Sequence, residues 1–84
     1  MDERREKLRS DLTRLHTVAL AELAGEGFAV SALVVEFVEN YEFGLAYEFI
    51  LHGLKEQNVR PNADAVKNLR AAASIMGFDP PFSD

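Results

Sequence analysis

Apolar residues return every three or four positions along most of this chain, and that spacing predicts helices. The pattern is most regular in the first segment, where the apolar positions are Leu8, Leu12, Leu15, Ala19 and Leu23. Three later segments repeat it, so we expect four helices, at about 2–24, 32–39, 42–57 and 63–76. Four helices joined by short loops predict an all-α fold, a single small four-helix bundle.

Residues that favour helix ends mark the joints between the predicted helices. Gly25 is expected to end the first helix in the left-handed conformation, which glycine adopts at little cost. Ser31, Asn40 and Asn62 are expected to cap the amino-terminal ends of the second, third and fourth helices, because their side chains accept hydrogen bonds from first-turn amides. Gly77 is expected to end the fourth helix.

The third predicted helix is apolar on nearly every side. The polar positions that interrupt it form one narrow stripe, made of Glu48, His52, Lys55 and Glu56. A helix of this kind has to be covered by neighbours on most sides, so we expect it in the middle of the bundle. Gly44 and Gly53 each cost the helix about 0.5–1 kcal/mol relative to alanine, and a closely approaching helix is the expected reason.

Length and composition describe one small domain. The 84 residues are 48% apolar, which suffices for one core, and the ends at 1–7 and 79–84 are expected to be loosely ordered. There is no cysteine, so no disulfide or thiolate metal site is expected. The chain has neither a membrane-spanning apolar run nor the apolar core of a signal peptide. We therefore expect a cytoplasmic protein.

The distribution of charge favours a basic partner. Nine basic and 14 acidic residues give a net charge of −5. Between Leu15 and Leu54 there is no lysine or arginine, and the same interval contains six glutamates. Contacts with phosphates require lysine and arginine, so nucleic acids and anionic membranes are not expected partners. The alternative interpretation is an acidic surface that only keeps the protein soluble.

Residue patterns that would indicate catalysis are sparse. No phosphate-binding glycine loop and no nucleophile elbow occur. His52 follows Glu48 by four positions, so the two share a helix face that a metal or proton transfer would need. A third ligand or a nucleophile is missing, and we expect an exposed ion pair there. His16 is expected at the boundary of the core. The sequence thus predicts no enzymatic activity, no metal and no cofactor.

One segment resembles a known family. The run Tyr41 to Glu48 (Tyr-Glu-Phe-Gly-Leu-Ala-Tyr-Glu) is followed by the rest of a helix, a second helix that a proline introduces, and Met-Gly-Phe-Asp. Over about residues 34–79 this order resembles the MafI family of bacterial immunity proteins, with Phe43 where the family pattern has tyrosine. The resemblance implies a small helical protein that neutralises a polymorphic toxin secreted against neighbouring cells. It carries over no set of toxin-contacting residues.

The first hypothesis is therefore an immunity protein that binds a cognate toxin, with a basic carboxy-terminal toxin domain as the expected target and a nuclease as one candidate. An acidic face with aromatic residues suits such a target, because carboxylates steer association and tyrosine rings supply anchors. The candidate face surrounds the joint between the second and third helices and consists of Glu36, Glu39, Tyr41, Glu42, Tyr47 and Glu48. The two tyrosines are alternatively core or boundary residues.

The second hypothesis is a small helical adaptor or regulatory domain that binds another helix or its own copy. Its interface would be the smooth patch Ala71–Ala73 together with the apolar stripe of the first helix, through which a homodimer is also left open. Under this hypothesis Ala72→Arg abolishes association, whereas charge reversal at Glu39 and Glu42 has little effect. The immunity hypothesis predicts the opposite.

Overall fold

The computed structural model describes residues 3–82, and within them the chain forms four α-helices joined by short loops. These helices are α1 (Glu3–Gly25), α2 (Ala32–Glu39), α3 (Phe43–Gln57) and α4 (Ala63–Met76). The predicted all-α bundle is confirmed, and the predicted helix bounds agree within one residue where they can be compared. Four residues at the chain ends lie outside the described part, among them Asp2, where the first helix was expected to begin, and the tail positions Ser83 and Asp84.

Two helix pairs make up the bundle. α1 packs most extensively against α4, and α2 packs mainly against α3. Small side chains at Ala19 on α1 and at Ala72 and Ala73 on α4 are fully buried, which is consistent with close approach of these two helices. α3 contacts all three other helices, yet it is not covered on every side, because Leu45 and Phe49 are exposed. The expectation that α3 is packed on most sides is wrong at these two positions.

Both glycines of α3 lie beneath aromatic rings. A Cβ atom added at Gly53 would lie 3.1 Å from two ring carbons of Phe28, which is buried in the core. A Cβ atom added at Gly44 would lie 3.5 Å from the ring of Phe78. The close neighbour is therefore a side chain at each glycine, rather than the backbone of another helix.

Three of the predicted helix ends are confirmed. The Ser31 hydroxyl accepts a hydrogen bond from the Leu33 amide (3.1 Å) at the start of α2. The side-chain oxygen of Asn62 accepts one from the Ala65 amide (2.8 Å) at the start of α4. Gly77 ends α4 in the left-handed conformation, with φ of 78°.

Two of the predicted helix ends are wrong. Gly25 is still helical, and the left-handed residue of the following loop is Gly27, with φ of 94°. Asn40 ends α2 and donates its side-chain amide to the Glu36 carbonyl (3.0 Å), so it does not cap α3. Glu42 precedes α3 without a side-chain capping bond. The short loop leaves Asn40 closer to the end it follows than to the helix it precedes.

Arg70 ties the described part of the carboxy-terminal tail to α4. Its guanidinium donates to the carbonyl oxygens of Phe82 (2.7 Å) and Pro81 (3.3 Å). Pro81 is buried, so the tail lies against the domain at this residue, whereas Asp79, Pro80 and Phe82 are exposed.

Candidate partner-binding surface

The four carboxylates singled out by the sequence all lie on the surface. Glu36 and Glu39 project from α2, Glu42 directly precedes α3, and Glu48 lies on α3; each is exposed. The salt bridges within residues 3–82 join other side chains, so none of these four carboxylates has a cationic partner there. A protein with lysine or arginine at matching positions would supply the missing charges.

Tyr41 lies in the loop between α2 and α3, and its surface is 53% exposed. Its backbone adopts a positive φ of 61°, which is uncommon for a residue other than glycine and turns the chain sharply into α3. The guanidinium carbon of Arg9 lies over its ring, 4.7 Å from the centroid, in a cation–π contact. One face of the predicted aromatic anchor is therefore already covered by a cation of the same chain.

Tyr47 belongs to the core and not to the surface. It is only 3% exposed, because it shares the inward face of α3 with Phe43, Ile50 and Leu54. Its ring packs against Phe78, with centroids 5.5 Å apart. Its hydroxyl is buried without a hydrogen-bond partner among residues 3–82, and burial raises the pKa of that hydroxyl. Its predicted place on the binding face is not compatible with this structure.

A groove between α1 and α2 borders one side of the candidate site. It encloses about 640 Å³, and its walls include Thr17, Leu20 and Ala21 from α1 and Val35, Val38 and Glu39 from α2. At Tyr41 it continues into a second cavity of about 500 Å³, which Arg9 and Arg14 line. The groove is therefore apolar along its length and positively charged at one end.

An exposed apolar surface, here called the α2–α3 patch, lies on the other side of α2. It consists of Leu33, Phe37, Leu45 and Phe49. Leu33, Leu45 and Phe49 are 42–44% exposed, and Phe37 is half-buried. The rings of Phe37 and Phe49 meet edge to face, with centroids 5.2 Å apart, and the leucines lie one helical turn from them. The patch is thus continuous across the two helices.

Apolar periodicity in the sequence does not reveal this patch, because it places the same residues in the core. Leu33 and Phe37 fit the inward stripe of the second helix, and Leu45 and Phe49 fit a helix covered all round. The sequence does contain one signal, because the third helix is apolar around nearly its whole circumference. In the structure, the neighbouring helices cover only part of that circumference. Excess apolar surface of this kind on a small protein is typical of an interaction site.

His16 is fully buried, so its predicted position at the core boundary is wrong. Its Nδ1 lies 2.8 Å from the carbonyl oxygen of Leu12, which requires Nδ1 to be the protonated, donating nitrogen. The imidazole stacks on Phe43, with ring centroids 5.5 Å apart, and Nε2 has no hydrogen-bond partner within residues 3–82. Desolvation by burial lowers the pKa of His16, although the bond to Leu12 opposes the shift. His16 is a neutral core residue.

His52 pairs with Glu56 instead of Glu48. Its Nε2 lies 3.4 Å from a Glu56 carboxylate oxygen, and both side chains are well exposed. The pair lies toward the carboxy-terminal end of α3, so His52 does not form an ion pair with Glu48. Within residues 3–82, no group of three or more histidine, aspartate and glutamate side chains is arranged to hold a metal ion.

Both surfaces proposed for an adaptor lie largely inside the domain, although Ala71 is half-buried and Leu8 is exposed. Ala72 and Ala73 are fully buried against the rest of the bundle. The apolar stripe of the first helix is buried from Leu12 to Leu23, and only its first member, Leu8, is exposed. An arginine at Ala72 would therefore disrupt the fold before it could report on association. In addition, none of the four helices between residues 3 and 82 is long and apolar enough to cross a membrane.

Comparisons with known protein families, with curated proteins and with solved structures found no match to this chain.

Proposed function

We propose that this protein is an immunity protein that binds a secreted toxin through a basic domain of that toxin and blocks it by protein–protein contact. The observation that carries the proposal is a set of exposed carboxylates that have no cationic partner among residues 3–82: Glu36, Glu39, Glu42 and Glu48. They lie within the segment that resembles the MafI family. The resemblance supports a toxin as the partner, and the charges support a basic surface on it.

The electrostatics of this region suit rapid capture of such a partner. No lysine or arginine occurs between Leu15 and Leu54, so acidic side chains are the only charged ones on α2 and on α3 before Lys55. Complementary potentials raise association rates between proteins, and salt screens them over about 10 Å at 0.1 M. A nuclease presents lysine and arginine to phosphates, so its active-site surface is one that this face would complement.

Blocking of this kind requires affinity and no chemistry. An inhibitor that covers the toxin's substrate-binding surface needs neither a nucleophile nor a metal. The proposal therefore assigns no catalytic residue to this chain.

The test begins with affinity capture from the producing cells, with this protein as bait. A secreted protein recovered in this way is then produced, and the dissociation constant is measured for three forms of the bait. These are the wild type, a variant with all four carboxylates Glu36, Glu39, Glu42 and Glu48 changed to glutamine, and a control with Glu3→Gln, Glu6→Gln, Asp64→Asn and Asp79→Asn. Both variants change the net charge equally, from −5 to −5 + 4 = −1.

The site variant is expected to bind at least about fivefold more weakly at low salt, since four exposed charge pairs contribute roughly 1–4 kcal/mol together. The control variant should stay close to the wild type. In a sensitive host that expresses the toxin domain, co-expression of the wild type should restore growth, and the site variant should restore it less. Recovery of only the bait itself or of cytoplasmic regulators, or equal weakening by both variants, would contradict the proposal.

A further inference from the structure

The α2–α3 patch exposes apolar side chains to water, which is unfavourable in free energy, and no other part of the domain covers them. Leu33, Leu45 and Phe49 each leave more than two fifths of their surface exposed. The edge-to-face contact of Phe37 and Phe49 holds the two helices' contributions together, so the patch is preformed in the free protein. A preformed apolar surface loses little conformational entropy on binding.

Carboxylates alone flank this patch within α2 and the first part of α3. Glu36 follows Leu33 by three residues and Glu48 follows Leu45 by three, so each lies one turn from the patch on the same helix. No lysine or arginine occurs in α2, and Lys55, in the last turn of α3, is the first in that helix. An apolar centre with charged residues around it is the usual anatomy of a protein interface.

The charges also decide between this patch and the groove. Glu39 lies in the wall of the groove, but the groove leads to Arg9 and Arg14, which would repel the cations of a basic partner. They decide against a second copy as well, since a two-fold interface would place the patch against itself. Glu36 and Glu48 of one copy would then face carboxylates of the other, and no local cation would compensate them.

We infer that the α2–α3 patch is the apolar anchor of the toxin interface, and that it receives an exposed apolar side chain of the toxin domain that lysine or arginine residues flank. The inference rests on the proposed function and deepens it. The carboxylates around the patch attract the basic surface of the toxin domain. The bound complex is then stabilised by burial of apolar surface at Leu33, Phe37, Leu45 and Phe49.

The test uses the full-length protein and the toxin domain recovered with it. The patch variant Leu33→Gln/Leu45→Gln is compared with the groove variant Val18→Gln/Val35→Gln. Val35 lines the groove, Val18 lines the second cavity that continues it, and both side chains are about as exposed as those of the patch. Neither variant changes the net charge. The patch variant is expected to bind at least about tenfold more weakly with an unchanged salt dependence, and the groove variant within about twofold of the wild type.

A cross-linking measurement makes the result independent of stability. The photoreactive residue p-benzoylphenylalanine replaces Leu45 in one form and Val35 in another, and circular dichroism verifies that both forms are folded. Cross-linking to the toxin domain from position 45 and not from position 35 supports the inference.

Four results would overturn the inference. If the groove variant loses affinity, or position 35 cross-links, while the patch variant and position 45 do not, the apolar anchor lies in the groove and not in the patch. A wild-type dimer in sedimentation that the patch variant dissociates would make a second copy the occupant. If the carboxylate variant weakens toxin binding and the patch variant does not, this inference fails and the proposed function stands. If no toxin is recovered, both fail.

Discussion

The side-chain amide of Gln57 forms two hydrogen bonds with the backbone of Ala29, 28 residues earlier in the chain. Its oxygen accepts from the Ala29 amide (2.7 Å), and its nitrogen donates to the Ala29 carbonyl (3.1 Å). The contact ties the loop after α1 to the last turn of α3. It also lies beside the place where the Phe28 ring covers Gly53, so one clamp positions both the loop and its aromatic residue.

Replacing Gln57 with alanine is expected to lower the free energy of unfolding by about 1–2 kcal/mol. Two hydrogen bonds are lost, and each contributes about 0.5–1.5 kcal/mol, with the lower values expected at an exposed site. Urea denaturation measures the change. The matched control is Glu56→Ala on the same turn, which removes only the exposed pair with His52 and should cost less than about 0.5 kcal/mol. Equal losses for both variants would show that the clamp contributes nothing.

Helix positions in this protein were predictable because they depend on local sequence. The 3.6-residue period places the helices, and Ser31 and Asn62 begin two of them through bonds to their own first turns. Gln57 could not be assigned in this way. Its partner Ala29 lies in a loop, and the loop's path is set by packing of Phe28 against a different helix.

The candidate site was predictable only in part, for a similar reason. The exposed carboxylates follow from charge, since an unpaired carboxylate is rarely buried. Apolar periodicity, however, does not say how many neighbours a helix has. Leu45 and Tyr47 both lie on an apolar helix, and the tyrosine is buried while the leucine is exposed. Whether a side chain of α3 is buried depends on which face of the helix its neighbours cover, and tertiary packing determines that face.

The two glycines of α3 are expected to respond oppositely to alanine. At Gly53 the new Cβ atom would lie 3.1 Å from the buried ring of Phe28, which has little room to move. Overpacking of about 1–3 kcal/mol should exceed the helix-propensity gain of about 0.5–1 kcal/mol, so Gly53→Ala should be destabilising.

Gly44→Ala is the control for that substitution. Its Cβ atom would lie 3.5 Å from the partly exposed ring of Phe78, an ordinary contact, so the propensity gain should remain and the variant should be as stable as the wild type or more so. Thermal unfolding of both variants gives the sign directly. A stabilised Gly53→Ala would mean that Phe28 yields without cost.

Removing the hydroxyl of Tyr47 is expected to leave the fold as stable as before or to stabilise it by about 1 kcal/mol. The hydroxyl is buried without a hydrogen-bond partner among residues 3–82, so Tyr47→Phe removes an uncompensated polar group and keeps the ring. Toxin affinity should not change, because the side chain is not on the surface. The toxin affinity of Tyr47→Phe is compared with that of Tyr41→Phe, which removes the hydroxyl of an exposed tyrosine. A loss of stability above about 1 kcal/mol in Tyr47→Phe would indicate that the hydroxyl has a partner in solution.

His16 is expected to make the protein less stable in mild acid. Burial holds its pKa in the folded protein below the usual value of 6.5, so the unfolded chain binds a proton first as the pH falls. The contribution of His16 to the free energy of unfolding is therefore highest above pH 6.5, and it declines from there down to the lowered folded-state pKa, by at most about 1.4 kcal/mol per pH unit. Urea denaturation between pH 7.5 and about 5 should show this decline in the wild type and a weaker one in His16→Leu. His52→Leu, which changes only an exposed imidazole, should keep the decline of the wild type. An unchanged decline in His16→Leu would assign the acid sensitivity to other groups.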